Sequence, residues 1–275
     1  MTSSVGAPPL DRDAYLRDVT LKHRVQQVGA WCGVGFVVLL FGGWGLLGNF
    51  IPMVPPSGTP EEVARIYAHH ADLRRVGLLL GMVGIFLTIP FYFAISMQMR
   101  RSEPRTPVLA MLQFASGILV TVVLMIPMLL FLGGSFRPER TPELTQLVNE
   151  LSYLMLILPW PPIIGQLVAL SVATFADRRP RPVFPRWSAY MNLWIAVLLT
   201  PASLIVFFES GPFAWNGLLG FWIPAAVFGS WYPVMTWLVL RAAREEAEEA
   251  RRHAPPAGVP AGDAVPSPVG AGALR

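Results

Sequence analysis

Charge is what this chain has least of. Only 14% of its 275 residues are Asp, Glu, Lys or Arg, where a soluble globular domain carries about 25%. The one cysteine, Cys32, excludes an internal disulfide framework and any multi-cysteine metal cage. There are four histidines, and none lies inside a crossing: His69 and His70 sit in one loop, His23 and His253 near the two ends. That placement excludes a haem held between facing helices and the multi-histidine intramembrane metalloenzymes. No cofactor and no catalytic constellation is expected. Lysine is nearly absent too, with Lys22 standing against twenty arginines, a coding bias of high-GC genomes.

What is abundant is apolar length. Hydrophobic residues make up 53% of the chain, and mean hydropathy is +0.50. Stretches without any charged residue occupy 25–60, 76–99, 106–136, 151–176, 187–208 and 210–240. A helix needs roughly 20 apolar residues to cross a bilayer core. Six crossings are therefore expected, at 28–50, 76–98, 107–132, 151–176, 187–208 and 214–240. The first begins too late, and runs too long, to be a cleaved signal. The fold class is all-α: a six-helix transmembrane bundle with short amphipathic external helices.

The division expected along the chain is a cytoplasmic N-terminal segment 1–27, a membrane domain 28–240, a cytoplasmic helix extension 241–253 and a disordered tail 254–275. Basic residues set the orientation. Fifteen flank the crossings on one side, among them Arg24, Arg100, Arg179 and Arg244, and five on the other: Arg65, Arg74, Arg75, Arg137 and Arg140. The positive-inside rule then puts both termini in the cytoplasm of a plasma membrane. The net charge of +4 records loops facing anionic lipid rather than affinity for nucleic acid.

The loops carry local signals. Thr59-Pro60-Glu61 is an N-cap with proline at the first helical position. It predicts one amphipathic helix running to Arg75, with Val63, Ile66, Tyr67, His70 and Leu73 on one face and Glu62, Arg65, His69 and Asp72 on another. Those last residues read as a solvated salt ladder rather than a metal site, because adjacent histidines on a helix point about 100° apart. Thr141-Pro142-Glu143 repeats the start signal. Glu209 to Gly217 reads as a turn only. In the extension, Arg241–Glu245, Arg244–Glu248 and Glu248–Arg252 are spaced for helical ion pairs. Gly29-x-x-x-Gly33 and Gly77-x-x-x-Gly81 followed by Gly84 suit close packing within the bundle. Arg137-Pro-Glu-Arg-Thr-Pro-Glu-Leu-Thr-Gln, Arg179-Pro-Arg-Pro-Val-Phe-Pro-Arg-Trp and Gly211-Pro-Phe-Ala-Trp-Asn-Gly together resemble uncharacterised multi-pass membrane proteins of actinobacteria. The resemblance spans most of 28–240 and implies a membrane fold, with no activity and no site.

No charged residue falls in the centre of a crossing, which argues against a proton pump or proton-coupled transporter. The unusual segment is Leu158-Pro159-Trp160-Pro161-Pro162. Three prolines in four residues withdraw three backbone donors and free the carbonyls of Met155, Ile157 and Leu158. Residues 162–176 are too short to span alone, so the break lies within the membrane. Candidate ligand-lining residues are Pro159 and Trp160 at the break, Gln166 one turn beyond, and Gln113 and Asn192 on other crossings, with Ser203 a further partner for the carbonyls. A binding element and a packed kink both fit this pattern.

Three functions follow from these residues. The first is a non-enzymatic scaffold, anchor or accessory subunit of an inner-membrane assembly. The alternative is a carrier or binding protein for a neutral or apolar molecule, lipid or quinone, at the broken helix. A lipid-active enzyme built on Glu139, Glu143, Glu209, His69 and His70 ranks third, since those residues share no catalytic spacing. The expected partners are the lipid bilayer, an apolar ligand, and a protein partner or a second copy of the chain.

Overall fold

The computed structural model describes residues 12–103, 106–137 and 139–255. The tail expected to be disordered lies, apart from its first two residues, outside them. Among the described residues there is no strand, and six helical stretches are long and apolar enough to cross a membrane: Arg12–Leu47, Ala71–Met99, Val108–Phe136, Pro142–Ala176, Arg186–Phe207 and Leu218–Arg252. The expected six-helix bundle is therefore present.

Its helices are α1 (Arg12–Leu39), α2 (Pro60–Ala68), α3 (Ala71–Phe86), α4 (Thr88–Met99), α5 (Val108–Phe136), α6 (Pro142–Ile157), α7 (Pro161–Ala176), α8 (Arg186–Leu199) and α9 (Ile223–Arg252). A π-helix, Leu40–Leu47, prolongs α1. A 3-10 helix, Thr200–Phe207, prolongs α8, and a short π-helix, Leu218–Trp222, leads into α9. Segments 48–59, 139–141 and 208–217 gather at one end of the bundle, the loop end. At the other, the stalk end, the polar parts of α1 and α9 run on together.

Each helix sorts its residues by face. On α3, Val76, Leu79, Val83 and Phe86 are exposed at helical spacing, while Gly77, Leu78, Gly81 and Ile85 are buried. That outward apolar stripe suits a lipid-facing surface. The glycine spacings serve packing inside the bundle. A Cβ on Gly33 would stand 2.6 Å from the Phe91 ring, and one on Gly77 2.5 Å from the Gly43 carbonyl. Buried hydrogen bonds cross between helices as well: Tyr92 to Tyr232 at 2.6 Å, Thr88 to Thr121 at 2.6 Å, and Thr236 Oγ1 donating to the Ala30 carbonyl at 2.9 Å. Inter-helix polar contacts of this kind average about 0.6 kcal/mol in a membrane.

Two local expectations are corrected. The helix begun by Thr59 does not reach Arg75. Its capping box forms, with Thr59 accepting from Glu62 N at 3.3 Å and Glu62 accepting from Thr59 N at 3.2 Å, but α2 stops at Ala68. His70 takes a left-handed conformation (φ 52°) and turns the corner into α3, so His70 and Leu73 are exposed rather than on the buried face. Segment 209–217 is more than a turn, because Trp215 folds inward, stacks on Tyr153 at 5.6 Å and donates to the Val54 carbonyl at 2.8 Å. The polar part of α9 also packs on α1: Lys22 pairs with Glu246 at 2.5 Å and Tyr15 donates to the Ala250 carbonyl. The extension's own ion pairs Arg241–Glu245 and Arg252–Glu248 are present at 2.8 and 3.8 Å.

Candidate functional site

The fourth crossing is broken into two equal helices, α6 and α7, of 16 residues each. Each is about 24 Å long, less than the roughly 30 Å hydrocarbon core, so neither spans alone. Between them, Trp160 N donates to the Leu158 carbonyl at 2.8 Å, and the Trp160 carbonyl accepts from Ile163 N and Ile164 N at 3.0 and 3.2 Å. The break thus closes part of its own backbone deficit.

Beside the break lies a pocket of about 90 Å³. Leu156, Ile157, Trp160 and Ile163 form the wall from the fourth crossing; Leu40, Phe41 and Trp44 come from the first, and Phe221, Pro224 and Phe228 from the sixth. Leu124, Leu199 and Ala202 complete it from the third and fifth. Its lining is hydrocarbon and aromatic ring. Ala202 reaches it from the 3-10 segment that follows α8, and Gly220 and Phe221 from the π-helical segment that precedes α9.

The residues singled out from the sequence are not brought together. Trp160 lines the pocket; Pro159, Gln166, Gln113 and Asn192 do not. Gln166 is buried on α7 beneath it, its Nε2 without a partner, close enough to α5 that a Cβ on Gly117 would stand 3.0 Å away. Gln113, on α5, is fully buried with both side-chain polar atoms unpartnered. Asn192 is engaged elsewhere, donating to the Ser188 carbonyl at 2.8 Å and accepting from Trp231 Nε1 at 2.7 Å. Ser203 donates to the Thr200 carbonyl.

A feature that the sequence did not mark is Arg74. Counted there with the external loop, it is only 2% exposed and sits inside the loop end. Its guanidinium carbon lies 4.9 Å from the Phe50 ring centre and 5.2 Å from that of Tyr67, and Nη2 donates to the Ile66 carbonyl at 2.7 Å. Nε and Nη1 have no partner. Around it, Phe50 stacks on Trp44 at 5.9 Å and meets Phe131 at 4.4 Å, and Tyr67 donates to Asn149 Oδ1 at 3.0 Å. Arg75, next in sequence, does a different job: it donates to the Ser135 and Phe136 carbonyls and so caps the C-terminus of α5. The signal that could have found Arg74 is its position, one turn before the glycine-rich face that α3 turns inward.

Asp177 anchors the stalk end just after α7. Its carboxylate accepts from Arg179 Nε and Nη2, Arg179 N and Val183 N at 2.9–3.1 Å. Burial works to raise its pKa, but the Arg179 side chain and the two backbone donors outweigh that and hold it below the ordinary carboxylate value. His69 and His70 face each other with ring centres 3.9 Å apart, at the corner rather than along a helix. Asp72 pairs with Arg75 and Glu62 belongs to the capping box, so the expected charged ladder is divided.

Fold and site together define a class: a multi-pass, all-helical membrane protein with an apolar pocket at a broken crossing. Comparison with protein-family models, with curated proteins and with solved structures finds no match for this chain.

Proposed function

We propose that this is a non-enzymatic plasma-membrane protein, both termini cytoplasmic, that binds an apolar hydrocarbon chain beside the break in its fourth crossing. Orientation rests on the fifteen-to-five distribution of basic residues, which puts the stalk end in the cytoplasm. The observation that carries the binding reading is the pocket lined by Ile157, Trp160 and Phe228. Its size selects the ligand. A dry apolar cavity of about 150 Å³ binds one benzene ring, and a space of about 90 Å³ suits the end of an acyl or isoprenoid chain better than a quinone ring.

A photoactivatable fatty acid carrying a diazirine near its methyl end tests this. Crosslinks should concentrate on Ile157, Trp160 and Phe228, and Ala225→Phe, which fills the pocket from α9, should remove them. Labelling spread evenly over the lipid-facing residues, and indifferent to Ala225→Phe, would overturn it.

A different observation favours the scaffold reading. The stalk of α1 and α9 is tied by Lys22–Glu246 and Arg101–Glu249 and leaves Arg244, Glu248 and Arg251 outward, a charged platform for a cytoplasmic partner. Purification in mild detergent separates the two: a stoichiometric partner lost on Arg244→Glu supports the scaffold, and a co-purifying chain-bearing lipid lost on Ala225→Phe supports the binding protein.

A further inference from the structure

A second surface, on the opposite side of the bundle's length from the pocket, has the layout of a lipid seat. Arg24, Val28, Trp31 and Gly35 follow at helical spacing on α1 and share one face. With Gln27, Cys32 and Leu87 they line a groove along the stalk half of the helix. Its floor is low because Gly35 has no side chain: a Cβ there would stand 3.0 Å from Leu87 Cδ1. The polar end is Arg24, exposed and without an ion-pair or hydrogen-bond partner among the described residues. Its basic neighbours are occupied: Lys22 holds Glu246 and Arg101 reaches Glu249. From Arg24 to Gly35 the helix rises about 16 Å, close to half of a roughly 30 Å hydrocarbon core. The groove therefore runs from headgroup height to the bilayer centre.

We propose that this groove binds an acidic glycerophospholipid, its phosphate on Arg24 and Gln27 and one acyl chain laid along Val28, Trp31, Cys32 and Gly35. Two features together assign the occupant. The unpaired guanidinium is complementary to a phosphate, which accepts its parallel donors. The apolar floor, from Val28 to Gly35, rises about 10 Å, room for the upper part of an acyl chain running down one leaflet. Asp13 and Arg17 line the depression that continues past Arg24 toward the stalk, and their side chains bound the headgroup space on that side.

The chain supplies its own reporter. Cys32, its only cysteine, lines the groove and is half-buried. A lipid seated there shields the thiol from N-ethylmaleimide. With the delipidated full-length protein in detergent, phosphatidylglycerol should slow Cys32 alkylation about fivefold more than phosphatidylcholine does, the factor expected for one basic residue at an anionic surface. Arg24→Gln should abolish that preference while leaving weak protection by both lipids. Gly35→Leu should remove protection by either, its side chain occupying the groove. Should Gly35→Leu fail to fold, Arg24→Gln, a surface change, decides alone. Equal protection by the two lipids in the unmodified protein, or an undiminished preference in Arg24→Gln, overturns the proposal. Neither outcome depends on the pocket at the fourth crossing, so the two sites stand or fall separately.

Discussion

At the stalk end a buried charge is met by opposite charge and by amides; at the loop end it is met by aromatic faces. Glu246 accepts from Lys22, Gln26 and Gln98, and Gln98 also donates to Gln26, so α1, α4 and α9 share one polar knot. Among the described residues, Arg74 has no carboxylate beside it. It has two rings, one carbonyl and two idle nitrogens. Glu246 lies where water and lysine reach, its side chain 19% exposed, whereas Arg74 is enclosed. The comparison teaches that the same desolvation cost is met by pairing where solvent is near and by ring quadrupoles where it is not.

The largest test of that contrast is at Arg74. Arg74→Ala leaves a void between Phe50 and Tyr67 and should cost about 2–5 kcal/mol, as for other large-to-small core changes. Arg74→Met keeps most of the volume and discards a charge with two unpartnered donors, so it should unfold at or above the unmodified protein's temperature in detergent. If Arg74→Met falls as far as Arg74→Ala, the charge itself holds the ring cluster together, and the loop end works by attraction rather than by filling.

The stalk end has a counterpart in Asp177, where removing one partner should be uniformly harmful. Asp177→Asn withdraws the charge from four hydrogen bonds and should cost about 1.5–3 kcal/mol. It also fixes a pH dependence. The folded pKa lies below that of the unfolded chain, so the unfolded state binds the proton first. The stabilisation is complete above the unfolded value of about 3.9 and is lost as pH falls through the folded one. Unfolding midpoints measured in detergent from pH 6 downward should drop for the unmodified protein, and Asp177→Asn should flatten that drop.

The crossings were legible because uncharged run length is a property of neighbours in sequence, and the caps because Thr59 and Glu62 are three residues apart. What stayed hidden needed contacts between distant residues. Arg74 meets Phe50 across a whole external segment. Asn192 is engaged by Trp231 on another crossing, which no pattern on α8 could announce. Likewise the pocket takes walls from five crossings, so proline spacing located the break and the Trp160 wall but not the space beside it. The helix expected from Pro60 to Arg75 failed for a local reason: periodicity continues through His69 and His70, and nothing in it marks a left-handed corner at a non-glycine residue.

Between the two ends, the mid-bundle amides are a third way of burying polarity, neutral and unpartnered, and they give the smallest effect. Gln166 Nε2 and both polar atoms of Gln113 are enclosed without hydrogen bonds, and a buried amide left so costs about 1–3 kcal/mol. Gln166→Leu fits a similar volume and removes the idle donor. It should therefore raise stability slightly, by about 0.5–1.5 kcal/mol. Gln166 does not line the pocket at the break, so diazirine labelling of Ile157 and Trp160 should be unchanged. The double variant with Gln113→Leu should gain more than either alone if each amide is idle by itself, and less than the sum if the two share a polar occupant. A loss of stability in Gln166→Leu, together with weaker labelling at Trp160, would mean that this amide reaches the bound molecule. The pocket would then extend from the apolar break down to a polar floor, and its ligand would carry a polar group as well as a chain.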